Sequence, residues 1–245
     1  MSRDVWAVVV ARLGPTAKSR LAPVLAAEER ALLAWAMLGD VLEVVRSADL
    51  PIIAVVAGVA QPRDARCAAV VQDPGQGMNA AVAIGVQAAR SAGATSVLVL
   101  PGNVPLATAA ELRALLEAVD EAPPAVAVAH DRHGTGTNGL LLGPPNVIAP
   151  AFGMGSARRH VEAARSAGAR AIRVDLSGLA LDIDTPDDLC LLANRGSAGQ
   201  VAEALAHLGS TLPYASRLAR SAPRSCGATW RPAAHGAEPA GLGAG

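Results

Sequence analysis

The sequence predicts an α/β fold: a single-domain, three-layer αβα arrangement around a mostly parallel sheet. Two observations predict it. Short, unbroken apolar runs rich in Val, Ile and Leu alternate along the chain with longer stretches whose apolar residues recur at helical spacing. The polar, glycine-bearing motifs fall just beyond the ends of those apolar runs, where ligands gather in open sheets of this kind.

The elements follow in order. Val5 to Ala11 is a strand-length apolar run with β-branched residues and reads as a buried parallel strand. From Glu28 to Arg46, Leu32, Leu33, Met37, Leu38, Val41, Leu42 and Val45 keep the helical period and predict a long amphipathic helix. Ile52 to Ala57 is a second buried strand, entered through Pro51, and Ala69 to Val71 a short third. Met78 to Arg90 predicts a helix stopped at Gly93. Val97 to Leu100 is a fourth strand, ended abruptly by Pro101 and Gly102, and Thr108 is the expected N-cap of a helix from Ala109 to Val119. Val126 to Ala129 and Leu140 to Leu142 are strands on either side of a polar loop. Ser156 to Ser166 is a helix, Ile172 to Val174 a short strand, and Thr185 caps a helix through Leu192. Val201 to Leu208 is a last helical stretch. The domain is therefore placed at 1–208, and 209–245, rich in Ala, Gly, Pro, Ser and Arg, is expected to be a disordered tail.

Composition narrows the function. Lys plus Arg equals Asp plus Glu, so no global basic field points to nucleic acid, while a small anionic substrate needs only a local cluster of positive charge. With one Phe and one Tyr, the core must be built from Ala, Val, Leu and Ile. Cys67, Cys190 and Cys226 are far apart, odd in number and without metal-ligand spacing, and read as reduced thiols. No apolar stretch reaches the ~20 residues that span a bilayer, and no apolar leader opens the chain, so the expectation is a soluble, cytoplasmic protein without a membrane partner.

Six motifs could carry chemistry, and each read alone has a plain structural alternative. Gly14-Pro15-Thr16-Ala17-Lys18-Ser19-Arg20-Leu21 follows the first strand; its backbone can meet phosphate oxygens while Lys18 and Arg20 neutralise charge, although it lacks P-loop spacing. Asp73 to Asn79 opens a helix, with Gly77 allowing close backbone approach and Asn79 able to pair with a purine edge. Pro101-Gly102-Asn103 ends a buried strand and aims a polar side chain at the crevice. His130 to Asn138 holds two histidines, but no third or fourth ligand follows; its Gly-Thr-Gly-Thr-Asn portion suits an oxyanion. Phe152 to Ser156 leads into a helix whose N-terminus is a ready anion site, and Ser156 could equally cap it. Asp182 and Asp184 alternate, so in extended backbone they share one face, and paired carboxylates of this kind favour Mg²⁺ completed by phosphates and water. Asp187 and Asp188 suit the dipole of the following helix.

Taken in order, these segments resemble the CofC/FbiD family of guanylyltransferases of deazaflavin coenzyme F420 biosynthesis. The resemblance covers roughly residues 5 to 194 and is carried by Ala17-Lys18-Ser19-Arg20-Leu21-Ala22-Pro23, Asp131-Arg132-His133-Gly134-Thr135-Gly136-Thr137-Asn138, Phe152-Gly153 with Gly155-Ser156 and Arg159-His160, and Leu181-Asp182-Ile183-Asp184-Thr185-Pro186. It implies a GT-A-like nucleotidyltransferase fold and transfer of GMP from GTP to 2-phospho-L-lactate, phosphoenolpyruvate or 3-phospho-D-glycerate, with release of pyrophosphate. Carried over by position, Lys18 and Arg20 hold the GTP phosphates as the catalytic cations, within the loop that Gly14 opens. Gly77 and Asn79 lie at the guanine side. Thr137, Gly155 and Ser156 hold the acceptor acid. Asp182 and Asp184 bind Mg²⁺, with Asn103 beside them. Similar proteins usually carry Asp at the position of Asn103, and often Lys at that of Arg12. A neutral amide near a divalent ion weakens the site, so the resemblance leaves open a GTP-binding homologue with weakened or lost catalysis, a relative using a sugar phosphate or molybdopterin, and a homodimer.

Overall fold

The structure, a computed structural model, describes residues 4–58, 64–119 and 124–210. Its strands are β1 (Val5–Arg12), β2 (Ile52–Ala57), β3 (Ala69–Gln72), β4 (Ser96–Pro101), β5 (Ala125–His130), β6 (Thr137–Gly143) and β7 (Arg170–Val174). Its helices are α1 (Ala27–Ser47), α2 (Met78–Ser91), α3 (Ala109–Glu117), α4 (Ser156–Ser166), α5 (Pro186–Arg195) and α6 (Gly199–Ser210). Among the described residues the strands form one sheet in the order β3-β2-β1-β4-β6-β5-β7. All neighbours run parallel except at β6, which is antiparallel to both β4 and β5.

Strand residues alternate strictly between two apolar layers, as the two-residue period of a strand requires. Ala7 and Val9 of β1 and Leu98 and Leu100 of β4 face α1 and α3, whose Leu38, Val41, Leu42, Leu112 and Leu115 complete that layer. Val8, Val10, Val97 and Val99 face the opposite way, onto α2 and α4. Helix α2 seats directly on the sheet because Gly85 has no side chain; a Cβ there would lie 2.4 Å from Val8 and 2.8 Å from Val55. These two faces are the outer layers of the expected αβα arrangement.

A third cluster lies outside the sheet and joins remote parts of the chain. Leu21, Val24 and Leu25 of the loop after β1 pack with Leu33 and Met37 of α1, Leu181 and Ile183, Leu189 and Leu192 of α5, and Val201 and Leu208 of α6. No helix among the described residues is long and apolar enough to cross a membrane. The stretch from Val201 extends at both ends into α6, and 211–245, most of the expected tail, lies outside the described residues.

One expectation is corrected. Cys190 on α5 is disulfide-bonded, whereas all three cysteines were expected to be reduced. Wide and odd spacing along the sequence does not limit which side chains a fold brings within bonding reach. Cys67 is a free thiol whose burial pushes its pKa up to about 11, and Cys226 lies outside the described residues.

Candidate active site

The carboxyl ends of β1 and β4 open onto a cleft of about 750 Å³ lined by Arg12, Lys18, Arg20, Asn103, Thr137, Ser156, Asp182 and Asp184, among others. The antiparallel strand explains how Thr137 and Asn138 reach it. Val99 of β4 pairs with Leu140 of β6. Two residues further along β4 is Pro101, and two residues back along β6 is Asn138, so the start of β6 lies at the edge where β4 ends.

Lys18 enters from the loop after β1 with φ 50° and ψ 43°, the left-handed region. A side chain with a Cβ sits there only when its surroundings insist. They do: Ala17 and Leu21 are fully buried, and Arg30 of α1 donates to the carbonyls of Pro15, Ala17 and Leu25 at 3.1, 3.2 and 2.9 Å. Lys18 Nζ donates to Asp184 Oδ1 at 2.8 Å, and Arg20 reaches the other carboxylate oxygen at 3.8 Å. Burial lowers the Lys18 pKa, outweighing the pull of Asp184.

The acidic pair comes from an extended segment in which Leu181 and Ile183 are fully buried, so the intervening Asp182 and Asp184 face the cleft. The Ile183 amide donates to the Asn103 carbonyl at 3.0 Å, which seats this segment against the end of β4. Burial raises the pKa of Asp182, only partly offset by the Asn138 amide, which donates to it at 3.2 Å. Asp184 behaves oppositely: burial alone would raise it, but Lys18, Arg20 and the Asn103 amide, donating at 3.0 Å, hold it below the ordinary range. Asp188 does more than meet a helix dipole. It is buried, accepts from the Asp184 and Thr185 amides at 3.1 and 2.8 Å, and receives Arg132 Nη2 at 2.6 Å.

On the far side of the cleft, Thr137 and Ser156 are both buried, and Ser156 Oγ donates to Thr137 Oγ1 at 3.0 Å. Ser156 is therefore not the helix cap. Gly155, at φ 71°, holds that position, and the serine hydroxyl faces across to β6. His160, one turn further along α4, places Nδ1 3.1 Å from Thr137 Oγ1. Arg159 fixes the preceding loop by donating to the Ala151 carbonyl at 2.8 Å and to the Met154 carbonyl.

The cleft thus gathers Lys18, Arg20, Asn103, Thr137, Ser156, Asp182 and Asp184. Gly14, Gly77, Asn79 and Gly155 are not among its lining residues. Gly14 turns the chain at φ 80° and Gly77 precedes α2 at φ 94°. Asn79 has its amide committed to a backbone: Oδ1 accepts from the Phe152 amide at 2.7 Å and Nδ2 donates to the Phe152 carbonyl at 3.3 Å. It ties α2 to the loop ahead of α4. His130 is likewise engaged, with Asp175 and with the Asp131 carbonyl. Sequence reading anticipated Asn138, within the oxyanion-suited loop, but missed Arg132, Asp188 and His160 as residues that support the site from behind. For His160 a signal existed, because it stands four residues after Ser156 and so shares its helix face.

The family described as "Guanylyl transferase CofC like" matches residues 7–221. A phosphoenolpyruvate guanylyltransferase of Conexibacter woesei is 38% identical over 220 residues, covering 86% of this chain and 99% of that protein. A 3-phospho-D-glycerate guanylyltransferase of Phenylobacterium zucineum is 34% identical, covering 83% and 96%. Among solved structures, a protein of Desulfovibrio desulfuricans G20 assigned to the nucleotide-diphospho-sugar transferases superposes with a TM-score of 0.69 at 15% identity, covering 89% of this chain and 98% of that one. A cytidylyltransferase of Leptospira borgpetersenii gives 0.54 at 12% identity, covering 91% and 99%. The fold is that of the nucleotidyltransferases, and the chain belongs to the CofC-like guanylyl transferase family.

Proposed function

We propose that this chain transfers GMP from GTP to the phosphate of a small three-carbon acid, releasing pyrophosphate and serving deazaflavin coenzyme synthesis. The observation that carries the reading is a single cleft in which a basic loop, an acidic pair and a buried hydroxyl pair converge from remote parts of the chain. The relatives named for phosphoenolpyruvate and 3-phospho-D-glycerate make those acids, with 2-phospho-L-lactate, the acceptors to test, and phosphoenolpyruvate the first.

The chemistry asks little of acid–base groups. An acceptor phosphate oxygen, already anionic at neutral pH, attacks the α-phosphorus of GTP. The bond from that phosphorus to the bridging oxygen breaks, and pyrophosphate leaves with its electron pair. Catalysis is then in-line placement and neutralisation of charge. Lys18 and Arg20 would face the triphosphate, and Thr137 and Ser156 the acceptor acid. Asp182 and Asp184, with the Asn103 carbonyl beside them, form a hard oxygen donor set. It suits Mg²⁺, an ion that takes one or two carboxylates and leaves its other positions to phosphate and water. When bound, the ion would supply further neutralisation of phosphate charge.

The test is pyrophosphate release from GTP with Mg²⁺ and each acid, with the guanylated product identified by mass. Turnover with GTP and at least one acid, and far less with CTP, is the expected result. Folded protein that turns over none of them overturns the proposal. A second reading, nucleotide binding with weakened catalysis, is favoured by one observation: the Asn103 amide donates to Asp184 where a carboxylate would ligate. GTP binding by calorimetry without turnover, together with a rate restored by Asn103→Asp, would select it.

A further inference from the structure

We propose that His160 is a positioning residue whose tautomer sets the Thr137–Ser156 hydroxyl pair to donate a hydrogen bond to an oxyanion of the acceptor. The proposal rests on the acceptor site proposed above and adds to it a residue that does not line the cleft.

His160 is fully buried. Its Nε2 lies 2.9 Å from the backbone nitrogen of Ala151. An amide N–H can only donate, so Nε2 is an acceptor and carries no proton. Burial and the neighbouring Arg159 charge keep the ring neutral at pH 7, with a pKa of about 4. The single ring proton is then on Nδ1, and Nδ1–H donates to Thr137 Oγ1 at 3.1 Å. The second bond of the triad, from Ser156 Oγ to Thr137 Oγ1 at 3.0 Å, consumes one hydroxyl proton. Two hydroxyls bring two protons, so one remains for the cleft. With the opposite tautomer, Nδ1 would accept from Thr137 and Thr137 from Ser156. Both hydroxyl protons would then be spent, and the pair would show an anion only lone pairs. The Ala151 amide, through the ring, therefore decides whether the pair attracts or repels an oxyanion. The Phe152 ring, its centroid 5.1 Å from that of the imidazole and inclined at 70°, helps hold the imidazole plane.

Three measurements on the full chain test this. In ¹⁵N spectra at pH 7, His160, assigned by its loss in His160→Asn, should show a protonated Nδ1 and an unprotonated Nε2. In steady state, His160→Phe should raise the acceptor KM about tenfold, the cost of losing direction in one hydrogen bond to an anion, while leaving the GTP KM within about twofold. His160→Asn, which returns an N–H near Nδ1, should recover most of that loss. An Nε2–H or doubly protonated ring overturns the proposal. So does a His160→Phe variant in which both KM values rise together, or a His160→Asn variant no better than Phe. If the wild-type enzyme turns over no acid, the parent function falls. The tautomer and the calorimetric affinity for inorganic phosphate, wild type against His160→Phe, then decide the proposal, equal affinities overturning it.

Discussion

Single residues in this cleft derive their chemistry from neighbours rather than from type. Asp182 and Asp184 are two residues apart, yet burial pushes one pKa up while cations and an amide hold the other down. His160 shows the same rule in a form that stability can report. Its imidazole ionises near 6.5 when free and near 4 in the fold, because burial and Arg159 disfavour its charged form. Between those values the unfolded chain binds the proton and the folded chain does not. Stability from this group is complete above pH 6.5 and is lost as pH falls toward 4. Between pH 7 and pH 5 that amounts to about 2 kcal/mol. Urea unfolding of the wild type should lose that much more over the interval than His160→Asn does. Equal losses in the two proteins would show that the ring is charged in the fold or solvated.

At the scale of elements, the start of α5 is where stability and site geometry meet. Thr185 and Asp188 form a capping box, and Pro186 begins the helix. Asp188 also receives Arg132 from the loop before β6. Asp188→Ala removes the N3 half of the capping box, the acceptor of the Asp184 and Thr185 amides and the partner of Arg132, at a cost of about 1–3 kcal/mol in urea unfolding. Asp188→Asn should recover part of it, and a loss below about 0.5 kcal/mol would mean that Arg132 finds water instead. Such elements also show what the sequence could reveal. The strand runs, α1 and the caps at Thr108 and Thr185 were legible, because apolar period and capping chemistry are local. So was the shared face of Asp182 and Asp184, since they alternate in an extended backbone, and the structure buries Leu181 and Ile183 on the opposite side. The direction of β6 was not, because pairing is decided between remote strands. The partners of Ser156 and Asn79 were hidden for the same reason: each is met across more than ten residues of chain.

Over the whole molecule, the cleft lies on the seam between two kinds of sheet. On one side β1 and β4 run parallel and deliver the Lys18 loop and Asn103. On the other, β6 runs back and delivers Thr137 and Asn138. The outer cluster locks Leu21 beneath Lys18 against Leu181 and Ile183 beside the acidic pair. A ligand that engages both the basic loop and the acidic pair therefore bridges segments more than 160 residues apart, and unfolding cannot proceed while it is bound. GTP with Mg²⁺ at a hundred times its Kd should add about 2.7 kcal/mol to stability. For a domain of this size that raises Tm by about 5–10 °C. On the proposed function, neither GTP without the ion nor CTP with it should match that shift, because the first would lack the charge proposed to pair with Asp182 and Asp184 and the second the purine. Phosphoenolpyruvate added alone should give a smaller shift. An unchanged Tm with GTP and Mg²⁺ at millimolar concentration would mean that the convergence of these residues serves something other than a nucleotide.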